Sequence, residues 1–309
     1  MAHRRFEDLG IGTKAAESRV RLLNRDGSFN VRRKGLPFFA WFSGYHYLIS
    51  IPWWQFNLLI LLAYVAINAV FGAVYLAIGM NGFSGIDGHS ISEQYLQAIF
   101  FSTQTFTTVG FGRIAPVGDA ANIASALESL AGLLSFAFAT GLVYGRFSRP
   151  VAKIIFSSNG VIAPYENITG FMFRVANQRK NQLIDVEAEV TLSRLEVSGD
   201  GSRRRKFYPL DLERRTVTFF HLSWTVVHPI DEHSPLFRVS KEQLDASDAE
   251  FLILLRAFDD TFSQTVHTRT SYKSKEVIFG QKFKGIIQVG KDGMTEIELD
   301  KIHDYEGVA

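Results

Sequence analysis

Between residues 48 and 86 the chain carries no acidic or basic side chain, and within that stretch 57–79 is nearly continuous apolar sequence. A helix of that length crosses the hydrocarbon core of a bilayer. A second candidate span covers 120–144, interrupted only by Glu128, and no third one follows. A buried helical hairpin in a soluble protein is the rival reading, but such helices rarely stay uncharged for so long. Trp53, Trp54 and Tyr47 stand where the first span meets the headgroups, the place for an interfacial aromatic belt.

Lysine and arginine crowd the approach to the first span (Arg19, Arg21, Arg25, Arg32, Arg33, Lys34) and the exit from the second (Arg146, Arg149, Lys153). The connection between the spans holds only Arg113. By the positive-inside rule both termini are expected in the cytoplasm, in a multi-pass protein of the inner (plasma) membrane. The chain is 21% charged and 47% hydrophobic, which fits neither a pure membrane bundle nor a disordered protein. A net charge of +2 is too mild to predict a nucleic-acid partner, and the absence of cysteine excludes a disulfide.

Between the spans, Ser90-Ile91-Ser92-Glu93 has the form of a capping box and predicts a helix from about residue 91 to Phe106. That helix is short for a span, so it is expected to be re-entrant. It runs into Thr105-Phe106-Thr107-Thr108-Val109-Gly110-Phe111-Gly112. In a strand successive carbonyls point to opposite sides, so a loop that aims them all at one axis has to alternate in handedness. Glycine takes positive φ without steric cost. Gly110 and Gly112 therefore permit the alternation, while Val109 and Phe111 hold the negative-φ positions with side chains turned away. Thr108 would add its hydroxyl at the inner mouth. Four copies of such a loop could replace the water around a potassium ion with backbone oxygens, placing K+ at Thr108, Val109, Gly110 and Phe111. A glycine turn between two helices is the plainer reading, and the membrane setting argues against it. The C-terminal end of the short helix would face the cation with partial negative charge. Irregular backbone at membrane depth needs a cover of protein or water, which a homotetramer supplies.

Residues 36–47 are aromatic and read as a helix lying in the membrane interface, with Pro37 in its first turn and Pro52 separating it from the span. Asn24-Arg25-Asp26-Gly27 predicts a turn before a short strand over 28–32. Beyond Pro150 short alternating runs appear at 152–156, 171–175, 186–195, 216–222, 250–255, 276–279, 285–289 and 295–299, with turn residues between them. Such spacing predicts a β-sandwich. The expected domains are thus a cytoplasmic N-terminal segment (1–34), an interfacial helix with a two-span pore (35–150) and an all-β domain (151–309).

Several stretches resemble the inward-rectifier potassium channels, especially their prokaryotic branch. They are Phe100-Phe101-Ser102, Gly145-Arg146-Phe147-Ser148-Arg149-Pro150, Arg174-Val175-Ala176-Asn177-Gln178-Arg179, residues 222–236 and Arg269-Thr270-Ser271-Tyr272. The resemblance covers nearly the whole chain. It implies a homotetramer with an interfacial slide helix, two transmembrane helices per subunit and an immunoglobulin-like cytoplasmic domain that extends the pore. It implies no catalytic residue and no cofactor, with K+ as the permeant ligand, and a channel activity that includes voltage gating. Against the family pattern, Phe111 replaces a frequent tyrosine, and Gln104 a frequent glutamate that pairs with a basic residue near the filter. Phe136 and Arg256 fall where some relatives carry acids lining the cavity and the cytoplasmic pore, so weak block by intracellular polyamines is expected.

Phe136, Thr140 and Tyr144 are four apart and share one helix face. Alignment with the family puts that face on the cavity, with Tyr144 near an inner constriction able to close by dewetting. Packing against the first span is the alternative. Gly132 and Gly141 allow either bending or close helix contact. Glu128, the sole charge inside the second span, has either a hydrogen-bonding or a cation-attracting role. Arg33, Lys34, Arg146, Arg149 and Lys153 form a basic cluster expected to meet anionic lipids. His228, Asp231 and His233 superficially suggest a metal cluster, but Pro229 and Pro235 favour a structured loop. A nonselective cation channel would commonly carry a polar or acidic residue in place of Phe111, and a membrane-anchored receptor module would not require the octet at 105–112.

Overall fold

A computed structural model of the chain describes residues 19–32, 35, 44–148, 152–179, 181–197, 199, 201–220 and 222–308. These fall into two compact units, Lys34–Arg149 and the combination of Met1–Arg33 with Pro150–Ala309. The first is helical. It contains α1 (Gly44–Ser50), α2 (Trp53–Ile78), β1 (Phe83–Ser84), α3 (Ile91–Phe106), β2 (Ala115–Pro116) and α4 (Asp119–Phe147). The aromatic helix expected over 36–47 is visible as α1, which continues to Ser50; residues 36–43 lie outside the described residues.

Pro52, at φ −54° and ψ 151°, cannot continue α1 and provides the extended residue from which α2 departs. The 26 residues of α2 and 29 of α4 correspond to about 39 and about 43 Å of helix, enough to cross a hydrocarbon core of about 30 Å. By contrast the 16 residues of α3 extend about 24 Å and do not. Its start is fixed by a reciprocal cap, in which Glu93 N–H donates to Ser90 Oγ and Ser90 N–H to the Glu93 carboxylate, each at 3.3 Å. The short pairing of β1 with β2 ties the two loops flanking α3 together. Tyr75, Phe83 and Phe101 meet edge-on with ring centroids 5.1–5.4 Å apart, binding α2, β1 and α3 into one small core.

The second unit is a sandwich of two five-stranded sheets. One sheet runs β11 (Gln264–Lys273), β10 (Glu250–Asp259), β6 (Leu183–Val197), β7 (Arg203–Leu210), with β8 (Thr216–Phe220) also on β6. The other runs β12 (Val277–Phe279), β4 (Gly160–Tyr165), β5 (Ile168–Asn177), β3 (Ile154–Phe156), with β9 (Ser223–Ile230) also on β5. All these pairs are antiparallel except β12 with β4. Alternate residues of the two sheets interleave in the core, where the Phe171 and Phe251 rings stack at 4.1 Å. A one-turn helix, α5 (Lys241–Ala246), seals one end through the buried Leu244. Two two-stranded pairs complete the unit: β13 (Gln281–Phe283) with β16 (Tyr305–Gly307), and, between them in the chain, the hairpin of β14 (Ile287–Val289) with β15 (Thr295–Ile297).

The N-terminal segment belongs to this unit. The turn at 24–27 forms, but the strand expected over 28–32 is reduced to a single bridge between Leu23 and Phe29. Side chains of the sandwich satisfy this segment instead. Leu22 and Leu23 N–H donate to the fully buried Glu250 carboxylate at 2.9 and 3.1 Å, and Arg21 forms a fork on Glu276 with both bonds at 3.0 Å.

Candidate ion pathway

The last turn of α3 opens into an irregular stretch in which φ is 59° at Thr108, 54° at Gly110 and 79° at Gly112, with Val109 and Phe111 between them on the negative side. Handedness therefore alternates over five consecutive residues. The nitrogens of this stretch are drawn back onto the short helix: Thr108 N–H donates to Thr105 O at 3.1 Å, and Val109 and Gly110 N–H to Gln104 O at 2.9 and 3.3 Å. Among the described residues no hydrogen bond ends on the carbonyls of Val109, Gly110 or Phe111. The arrangement leaves these strong acceptors without a hydrogen-bond partner among the described residues. The positive φ at the glycines was legible in the sequence; that at Thr108 was not.

α4 passes behind this stretch and meets α3 on two successive turns. At Gly132 a Cβ would overlap the Phe106 carbonyl, so glycine here serves close packing. One turn earlier, the fully buried Glu128 accepts from the hydroxyls of Ser102 on α3 and Tyr75 on α2. Ser102 Oγ also lies 3.0 Å from Asn68 Oδ1, so its one hydrogen is shared between two acceptors, and Asn68 Nδ2 donates to Tyr64 O at 2.7 Å. The sequence assigned no role of their own to Asn68 and Tyr75 on the first span or to Ser102 on the short helix, because uncharged polar residues there give no signal until a partner is known.

Phe136 and Tyr144 project from α4 with 74% of each side chain exposed in the isolated chain, and the Thr140 hydroxyl between them bonds back to Phe136 O at 2.8 Å. A Cβ at Gly141 would meet no atom within 4 Å, unlike one at Gly132.

Residues 154–309 match a family described as the inward rectifier potassium channel C-terminal domain, and residues 59–149 match one described as ion channel. The inward rectifier potassium channel Kirbac3.1 of Paramagnetospirillum magnetotacticum is 38% identical over 294 residues, covering 95% of this chain and 98% of that protein. This chain belongs to the inward rectifier potassium channel family. Inward rectifier potassium channel 18 of Homo sapiens and ATP-sensitive inward rectifier potassium channel 12 of Bos taurus are each 28% identical over 280 residues. Those alignments cover 84% of this chain and 63% and 64% of the two relatives. The families matched are channels, not enzymes.

As an inward rectifier the chain departs from one expectation, voltage gating. A voltage sensor moves charge through the membrane field, but α2 carries no charged side chain and the interior of α4 carries only Glu128, fixed by its hydroxyl partners. The family's bridge near the filter is also absent in its usual form: Arg113 pairs with Asp87 at 3.8 Å, in an exposed contact. Arg146 donates to Leu48 O and Ile51 O at 2.6 Å each and lies over the Trp53 and Phe56 rings at 4.4 and 4.5 Å, pinning α1 to α4. Lys153 is exposed, whereas Arg33, Lys34 and Arg149 lie outside the described residues.

In the sandwich, Arg256 is not an isolated positive charge. It contacts Glu189 at 3.1 Å and Glu187 at 3.6 Å, and Arg215 contacts the same two carboxylates at 3.0 Å each. The register of β10 on β6, which places Arg256 opposite Glu187, creates this balanced cluster. His228 is buried, with Nδ1 2.5 Å from Asp211 O and Nε2 2.7 Å from Ser234 Oγ, so both ring nitrogens are committed to the loop. No metal-binding group of three His, Cys, Asp or Glu side chains occurs among the described residues.

Proposed function

We propose that four copies of this chain form a potassium-selective pore in which Thr108, Val109, Gly110, Phe111 and Gly112 supply the ion-coordinating oxygens. The observation that carries the reading is the alternation of handedness at Thr108, Gly110 and Gly112, with the intervening nitrogens held on the Gln104 carbonyl. Such backbone turns its oxygens to one side and makes them available to a dehydrated cation. The exposure of Val109 and Phe111, 54% and 78% in the single chain, is consistent with neighbouring subunits covering them. Phe136, Thr140 and Tyr144 line the cavity, Tyr144 forming the inner constriction, and Gly141 is the place where α4 bends. K+ is the permeant ligand and no cofactor takes part.

Both termini face the cytoplasm at the plasma membrane. Arg33, Lys34, Arg149 and Lys153 meet anionic headgroups and modulate gating, while Arg146 holds the interfacial helix at the same level. The test is rubidium uptake into proteoliposomes loaded with K+, compared with Na+, in neutral and in anionic lipid. Uptake is expected only against K+, with a lipid response that Arg149→Gln alters more than Arg203→Gln, because a charge acts on headgroups within about 8 Å at physiological salt. Equal uptake with Na+ loading refutes selectivity, and identical lipid titrations for the two variants refute the lipid site.

A further inference from the structure

The hydroxyl of Ser102 stands between two acceptors, the Glu128 carboxylate and Asn68 Oδ1, and each of the three residues is buried. Buried polar groups of this kind are costly unless every partner is in place. Their location gives the cost a consequence. Ser102 lies two residues before Gln104, whose carbonyl holds Val109 and Gly110 N–H, and four before Phe106, whose carbonyl rests on Gly132. Glu128 and Gly132 likewise lie four apart, so two turns of α4 clamp two turns of α3 in the same direction. A shift of α3 by a fraction of an ångström would be passed through Gln104 O to the filter backbone.

We infer that Glu128 is a selectivity-determining positioning residue: through Ser102, with Asn68 and Tyr75 completing the network, it fixes α3 and hence the filter by hydrogen bonding, not by attracting the permeant ion. The inference rests on the filter reading above. It differs from a charge role in what an amide does at this position. A glutamine cannot attract a cation, yet its carbonyl oxygen accepts from one hydroxyl and its NH2 donates to the other, which frees the single Ser102 hydrogen for Asn68. The network therefore survives Glu128→Gln and collapses in Glu128→Leu, which leaves two buried hydroxyls facing an apolar side chain.

Bi-ionic K+/Na+ permeability ratios of reconstituted wild type, Glu128→Gln, Glu128→Leu and Ser102→Ala distinguish the two roles. The expected result is a ratio near wild type for Glu128→Gln and a fall of at least about tenfold for Glu128→Leu and Ser102→Ala. Should Glu128→Leu fail to assemble, Ser102→Ala, which removes only one hydroxyl, still separates hydrogen bonding from charge. Wild-type selectivity in Ser102→Ala or Glu128→Leu would overturn the inference, as would a glutamine variant as poor as the leucine one. An unselective wild type would instead overturn the filter reading itself.

Discussion

Thr108 holds φ at 59°, a conformation that costs an L-residue about 1–2 kcal/mol, and a β-branched one tolerates it only when its surroundings impose it. They do: Thr107 and Thr108 N–H are tied to Thr103 O and Thr105 O at 3.1 Å, and the next two nitrogens to Gln104 O. Gly110 and Gly112 adopt the same hand without penalty. In Gly110→Ala the added Cβ meets no atom within 4 Å in the single chain, so its cost is conformational, about 1–2 kcal/mol in each subunit. Potassium preference or conduction should be abolished while size-exclusion chromatography still shows the wild-type assembly; a normal K+ over Na+ preference would mean that the alternation is not what selects. The two glycines announced this geometry in advance, because a pair of glycines flanking Phe111 between two spans is what alternating handedness requires. Threonine announces nothing of the kind, and its left-handed turn follows from bonds that reach three to six positions back along the chain.

Among the elements, the spans and the capped short helix were legible because length, charge and capping chemistry are local properties. The sandwich was legible only in outline. β7 begins Arg203-Arg204-Arg205-Lys206 and reads as a solvated charge run, yet Arg205 is buried and bridges to Asp248 at 2.5 Å while Lys206 reaches Glu196 at 3.2 Å. β9 carries Pro229 and β4 carries Pro164, both discouraging to a strand assignment. β11 is largely polar because it forms the edge of its sheet. The N-terminal clasp was invisible for a different reason: its partners lie some 250 positions away. Burial would raise the Glu276 carboxyl, but hydrogen bonds from Arg21 and Lys273 N–H and the charges of Arg21 and Arg25 outweigh it and hold it below its ordinary value of 4.5. A lowered carboxyl contributes stability above the ordinary carboxylate range and loses it as pH falls through the folded value. Hydrogen-exchange protection of the Leu22 and Leu23 amides should therefore hold from about pH 7 to about pH 5 and drop under stronger acid. Glu276→Gln should lower it already at neutral pH. Unchanged protection in that variant would show that Glu250 alone retains the segment.

For the whole molecule, fourfold repetition multiplies whatever one subunit presents to the axis. On the proposed arrangement Phe136 contributes a ring of four aromatics to the cavity, and the Arg256 cluster is balanced by Glu187 and Glu189, so neither level offers a polyamine a strong net negative ring. Cation–π attraction supplies only about 0.5–2 kcal/mol per contact. Spermine applied from the cytoplasmic side should block wild type weakly and Phe136→Asp steeply, since a carboxylate in a confined, poorly screened cavity acts more strongly than in bulk water. Steep micromolar block of wild type would place negative charge in the pathway that this arrangement lacks. The central claim, that the backbone at 108–112 selects potassium, is tested most directly by the reversal potential of the reconstituted wild-type protein between K+ on one side of a planar bilayer and Na+ on the other. The account predicts a potential displaced toward potassium by more than about 59 mV, the value for a tenfold preference between monovalent ions. A potential near zero with measurable current would contradict it.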